Sequence, residues 1–247
     1  MDAAGRGSAG GSVEPWPGVD VDAGAAAVSA GSGDGVETPP ALGSVVSPTP
    51  AAAAELFGPA LESAEHYAAI LATRGVEWGL IGPREADRLW DRHILNSLAV
   101  SRFVPDGATV IDVGSGAGLP GIPLALARPD VRVTLLEPLE RRANFLQLAV
   151  AELGLEGRVR VIRDRAETHR ASYDVVTCRA VSALPKLLTW TMHLFYPDGR
   201  LVALKGASAQ AEVAAADRDL RRRRLSGSVA SVEVYPGADP TFVVLVR

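Results

Sequence analysis

The sequence contains a single cysteine, Cys178, so it can build no internal disulfide framework. No apolar run approaches the ~20 residues that a bilayer span requires, which excludes a membrane-inserted class. The opening residues show no basic segment followed by an apolar one, so secretion is not indicated and a cytoplasmic, soluble protein is expected. A strong charge of one sign is also missing. The net charge is −4, but residues 1–50 hold six acidic residues against Arg6 alone, which leaves residues 51–247 at +1. Attraction to phosphate must therefore come from local patches and not from an overall field. Nearly all the cations are arginine, which forks well onto phosphate, although a GC-rich coding sequence gives the same bias.

What is present suffices for one core: 247 residues at 47% hydrophobic composition favour one domain with an appendage. The appendage is residues 1–50, rich in Gly, Ala, Ser, Pro and Asp without helical or strand periodicity. It reads as a disordered low-complexity tail. Residues 51–104 read as an N-terminal helical cap. One helix carries Leu61, Ala64, Ala68, Ile70 and Leu71 and stops at Gly75. A second, after Gly82-Pro83, puts Leu89, Trp90, Ile94, Leu95, Leu98 and Val100 on an apolar side and Arg84, Arg88 and Arg92 on one polar face. Residues 105–247 alternate short β-branched runs with helices, the signature of βαβ units. They end in two strands around a Pro/Gly/Asp turn. The expected fold is α/β, with a Rossmann-like seven-stranded sheet, mostly parallel but closed by a C-terminal antiparallel hairpin.

The segment VIDVGSGAGLPGIPLA, residues 110–125, sets four glycines between a strand and a helix. Two registers compete. Gly114, Gly116 and Gly118 fit an S-adenosylmethionine loop, whereas Gly116, Gly118 and Gly121 fit a dinucleotide fingerprint. Pro120 favours the first, because it removes a backbone N–H from the helix start where a pyrophosphate would need one. Asp112 ends the strand as a carboxylate suited to an ammonium or sulfonium, and amides of the turn are expected to face the methionine carboxylate. Glu137, closing VRVTLLE, suits ribose hydroxyls. RDRAET puts Ala166 and Glu167 where an adenine edge would fall, and TCRAV puts Cys178 and Arg179 over the reactive centre, with Arg179 as its functional residue.

The succession WDRHILNSL, IDVGSGAGLPGIPLA, LLE, RAE, CRAV and ALKG resembles the RsmG (GidB) bacterial methyltransferases over about residues 55–247. The resemblance implies the class I S-adenosylmethionine-dependent methyltransferase fold. It also implies methyl transfer to N7 of one guanine in 16S ribosomal RNA, near the decoding centre. It carries over cofactor contacts at Gly114, Leu119, Ala166, Glu167 and Arg179. The family commonly reads RHILDS, where this sequence has Asn96.

Guanine N7 bears an in-plane lone pair and no hydrogen, so its methylation needs alignment and no general base. No convincing His/Asp or Ser/His pair stands in the sequence. Candidate RNA contacts are Arg84, Arg88, Arg92, His93, Arg141, Arg142 and Lys205, although Glu85, Asp87 and Asp91 intersperse the arginines as in a salt-bridged surface. The expected partner is 16S rRNA or the 30S subunit, bound by a monomer without metal or membrane. Three alternatives stay open: an NAD-dependent oxidoreductase, a non-catalytic RNA-binding ribosome assembly factor, and a pyrimidine methylase using Cys178 as covalent nucleophile.

Overall fold

A computed structural model describes residues 47–247, so the tail expected over residues 1–50 lies outside the described residues except at its end. The sequence predicts one helix over 51–75, and the structure breaks it. α1 (Ala51–Phe57) stops at Gly58, whose φ of 50° is left-handed. Pro59 then fits a tight turn, and α2 (Leu61–Ile70) resumes and widens into a π-helical turn at Leu71–Gly75.

The second cap helix is not one α-helix either. It runs as a 3-10 segment Pro83–Arg88, a π-helix Leu89–Leu95 and a 3-10 segment Leu98–Phe103. A four-residue spacing keeps one face only near 3.6 residues per turn, so this change of pitch disperses the expected arginine row. Arg88 and Arg92 line one cleft, and Arg84 does not.

The sheet has the order β3-β2-β1-β4-β5-β7-β6. Its strands are β1 (Thr109–Val113), β2 (Arg132–Leu136), β3 (Val159–Ile162), β4 (Val175–Arg179), β5 (Arg200–Lys205), β6 (Gly227–Val232) and β7 (Thr241–Val246). The first five pair in parallel. β7 pairs antiparallel with both β5 and β6, as the C-terminal pattern predicts. The strand order reverses between β1 and β4, and such a switch point opens a crevice at the carboxyl ends.

Helices cover both faces, and the two-residue period of each strand divides its side chains between them. Val110, Val133, Val202 and Leu204 pack with the cap and with α3 (Gly121–Ala127) and α4 (Glu140–Glu152). Ile111, Val176, Leu201 and Ala203 pack with α5 (Leu184–Thr191) and α6 (Ala209–Arg222). Because cap and sheet share the first of these clusters, the cap is held by the same apolar burial that holds the sheet.

α3 is apolar on every side and buried from Gly121 to Leu126, so it sits hard against the sheet. A Cβ on Gly121 would stand 2.3 Å from Leu135 Cδ2 and 2.9 Å from Asp112 Oδ2, both fully buried. Gly121→Ala is therefore expected to lower the unfolding free energy by about 1–3 kcal/mol in denaturant melts, as overpacking does. An unchanged melt would show that helix and strand can separate.

Candidate cofactor loop and adjoining cleft

The loop after β1 is built around three left-handed glycines, Gly114, Gly116 and Gly118, with φ of 69°, 55° and 98°. Side chains there would also collide: a Cβ on Gly118 would lie 2.5 Å from Ile122 Cδ1. The N–H groups of Gly114 and Ser115 donate to the Leu136 carbonyl, and those of Gly118 and Leu119 to the Ser115 carbonyl. Gly116 N–H donates to Glu137 Oε2 at 3.0 Å. The tight turn thus uses these five amides internally, where the sequence leads one to expect amides of the turn to face a ligand carboxylate. Glu137 is buried and accepts from Leu139 N–H through Oε1, so it ties the end of β2 to the loop.

Asp112 lies beneath this loop with no exposed surface. Its position in β1 shares the face of Val110, so the side chain turns toward α3. Oδ2 accepts the Gly121 N–H at 3.0 Å, occupying the start of α3. Oδ1 has no hydrogen-bond partner. Burial pushes the carboxyl up to about 7, against the lowering effect of the Gly121 and Ser115 hydrogen bonds and of the Arg179 charge.

These residues fit a cationic, phosphate-free nucleoside such as S-adenosylmethionine. Its positive charge would answer the orphaned Oδ1, whereas a pyrophosphate would meet two carboxylates and amides already spent. Tyr67 of α2 closes the loop from the cap side. Its hydroxyl donates to the Ala117 carbonyl at 2.8 Å. The sequence reading missed this residue: helical spacing marks it as apolar-facing, but nothing local names a partner fifty positions away.

The other expected cofactor residues gather near the same strand ends. Leu119 is buried in the loop, and Ala166 is buried against the cluster of Val113 and Leu136, while Glu167 is exposed. Cys178 is buried, and its thiol is pushed up to about 12 by that burial and by the Asp112 charge. It is no thiolate, so the covalent-nucleophile alternative fails.

Arg179, the last residue of β4, takes the opposite face from Cys178 and turns to the cap. Its Nη2 meets His93 Nδ1, and its Nη1 donates to the Arg92 carbonyl at 3.3 Å. Beyond it opens a cleft of about 1000 Å³, lined by Arg88, Arg92, His93, Arg179, Ser182 and Lys205, and by Tyr235 and Asp239 of the β6–β7 connection. Lys205 faces the other layer, where its Nζ donates to Glu212 Oε2 at 2.7 Å and to the Ser182 carbonyl at 2.5 Å. Its charge is committed within the fold. Asn96 also borders the cleft, and its Nδ2 donates to Thr241 Oγ1 at 2.5 Å. Arg141 and Arg142 lie apart from the cleft on α4, where the Arg141 guanidinium stands 5.8 Å from the Trp78 ring centroid.

The buried carboxyl gives a pH prediction. A carboxyl raised from 3.8 to about 7 on folding holds its proton longer in the native state, so stability falls as pH rises between those values. The slope from this group is at most about 1.4 kcal/mol per pH unit. Asp112→Asn is expected to remove it, so that denaturant melts at pH 5 and 8 differ less in the variant than in the wild type. Equal pH dependence in both would mean that Asp112 ionises freely in the folded protein.

The model of the GidB family, rRNA small subunit methyltransferase G, matches residues 60–234. Ribosomal RNA small subunit methyltransferase G of Kineococcus radiotolerans is 48% identical over 222 residues, covering 87% of each chain. The Mycolicibacterium smegmatis protein of the same name is 51% identical over 190 residues, covering 75% of this chain and 77% of its own. Among solved structures, a ribosomal protein L11 methylase from Lactobacillus delbrueckii subsp. bulgaricus aligns over 62% of this chain and 76% of its own, with 15% identity and a TM-score of 0.49. The family model takes in the glycine loop and most of the chain, and relatives about half identical cover three quarters of it or more: the chain belongs to the GidB family of small-subunit rRNA methyltransferases.

Proposed function

We propose that this protein transfers a methyl group from S-adenosylmethionine to N7 of one guanine in 16S ribosomal RNA, near the decoding centre. It acts as a cytoplasmic monomer on 16S rRNA or the 30S subunit. Family membership carries the rRNA methylation. Within the site, the observation that carries the reading is that Arg179, at the carboxyl end of β4 beside β1, lines the open cleft and is held there by His93 and the Arg92 carbonyl.

When bound, the cofactor supplies an electrophilic methyl carbon on a sulfonium. The chain's own work is to hold the reactants. Asp112 and Glu137 set the negative side of the cofactor site, and Gly114, Gly116, Gly118 and Leu119 give it its shape. Ala166 and Glu167 flank it at the end of β3. Arg179 is the residue assigned to the reacting centre, where its guanidinium positions the substrate. N7 needs no deprotonation, so positioning is the main contribution. His93 agrees with this, since both of its ring nitrogens already have protein partners. Among the remaining cleft cations, Arg88 and Arg92 are the candidates for phosphate, as exposed side chains at the rim.

Mass mapping of 16S rRNA from cells with and without the protein is expected to show one N7-methylguanine that depends on it. Methylation at a different atom would overturn the assignment. Arg88→Glu with Arg92→Glu is expected to raise KM for the RNA substrate tenfold or more and to flatten its salt dependence, leaving cofactor Kd unchanged. An unaltered KM would remove this rim from the RNA surface. Cys178→Ser is expected to keep at least half of wild-type kcat.

A further inference from the structure

Among the described residues, Glu85 touches no part of the loop, yet it ends a chain of contacts that reaches the centre of the site. Its Oε2 lies 3.0 Å from His93 Nε2, and its carboxylate also meets Arg92 Nη1 at 3.3 Å. On the other side of the imidazole, His93 Nδ1 meets Arg179 Nη2. A guanidinium has donors only, so Nδ1 must present its lone pair, and the single ring proton must then sit on Nε2, facing Glu85. The His93 side chain is only 12% exposed, which leaves water little opportunity to take over either contact.

We infer that Glu85 is a positioning residue for methyl transfer: by accepting the Nε2 proton it fixes the His93 tautomer whose Nδ1 anchors the Arg179 guanidinium at the mouth of the cleft. This rests on the reading of the cleft as the RNA substrate site. The arrangement constrains Arg179 from two directions, through the imidazole and through the Arg92 carbonyl, so its remaining N–H groups are not free to swing. Both contacts come from the π-helical segment Leu89–Leu95, which supplies the Arg92 carbonyl and the His93 ring, and wide helical turns recur at functional sites.

The device has a pH signature. Protonated His93 would turn a donor toward Arg179 and break the anchor. Burial and the Arg179 charge lower its pKa, the Glu85 hydrogen bond and charge raise it, and Arg92 lowers it further. Arg88, Asp91, Lys205, Glu212, Tyr235 and Asp239 are the other titratable groups on the cleft wall. At neutral pH the imidazole is neutral, as the anchor requires.

The test compares Glu85→Ala with Glu85→Gln, whose side-chain carbonyl still accepts from Nε2. Long-range 1H–15N correlation spectra of the full chain read the His93 tautomer. Activity on 30S subunits and calorimetric cofactor Kd are measured beside them. Expected are a pure Nε2–H tautomer in the wild type and in Glu85→Gln, and a mixture in Glu85→Ala. Expected kcat/KM is at least tenfold down in Glu85→Ala and within threefold of wild type in Glu85→Gln, with cofactor Kd unchanged in Glu85→Gln. The acid limb of activity should move to lower pH in Glu85→Ala, because the groups raising the His93 pKa are gone. Equal losses in both variants, an altered cofactor Kd in Glu85→Gln or an unchanged tautomer in Glu85→Ala would each overturn the inference. A wild type that methylates no rRNA would instead refute the proposed function, and the tautomer spectra would still decide the contact.

Discussion

A carboxylate sealed beneath a glycine turn is the constraint around which this molecule is arranged. Asp112 has no exposed surface, one oxygen on the Gly121 N–H and the other on nothing. A buried polar atom without a partner costs on the order of 1–3 kcal/mol, and a buried charge costs more. The fold tolerates this because α3 packs over the carboxylate and bonds it through the Gly121 N–H, while Tyr67 fastens the glycine turn through the Ala117 carbonyl. Gly121 has to be glycine for the same reason: a side chain there would meet Leu135 and Asp112 together. The desolvated acid leaves a site that a further cation would favour.

The distribution of the other charged groups follows from strand periodicity. Asp112 of β1 and Arg179 of β4 project to the cap face, while Lys205 of β5 projects to the α5 and α6 face. Two charged residues at the ends of adjacent parallel strands therefore reach different partners. Arg179 meets the π-helical segment through His93 and Arg92, and Lys205 meets Glu212. This separates a guanidinium positioned for work from an ammonium spent on joining α6 to the loop after β4. The half-buried Lys205–Glu212 pair lines one side of the cleft and gives it a fixed wall.

The sheet was legible in the sequence because its strands are apolar runs of the right length separated by helices, although the order of the strands was not. The glycine loop was legible because three left-handed positions leave little choice of residue. The cap was less so. Its composition marks helix, but whether the pitch is 3.0, 3.6 or wider is decided by tertiary packing, and the expected row of Arg84, Arg88 and Arg92 depended on that pitch. Tyr67 and Glu85 were missed for a related reason. Their roles lie in single contacts with Ala117 and His93, and a lone tyrosine or glutamate on a helix carries no local sign of such a partner. Glu137 was legible as a residue of the site, but not its use in fastening the Gly116 amide.

The chemistry asked of the cleft explains why its histidine is engaged on both sides. A histidine serving as general base needs one nitrogen open toward the substrate and a pKa near the working pH. His93 lacks the open nitrogen, since Arg179 and Glu85 take both, and burial lowers its pKa. What alignment requires is rigidity in the groups that touch the substrate, and a long arginine side chain loses much rotamer freedom when it is fixed. Anchoring Arg179 through a neutral imidazole meets that ordering cost during folding, before substrate arrives. It also adds no second positive charge beside the guanidinium. A lysine in place of His93 would bring such a charge, and a carboxylate would neutralise Arg179 and weaken its pull on phosphate or on a purine oxygen. A neutral acceptor with a fixed tautomer holds the arginine while leaving its charge for the substrate.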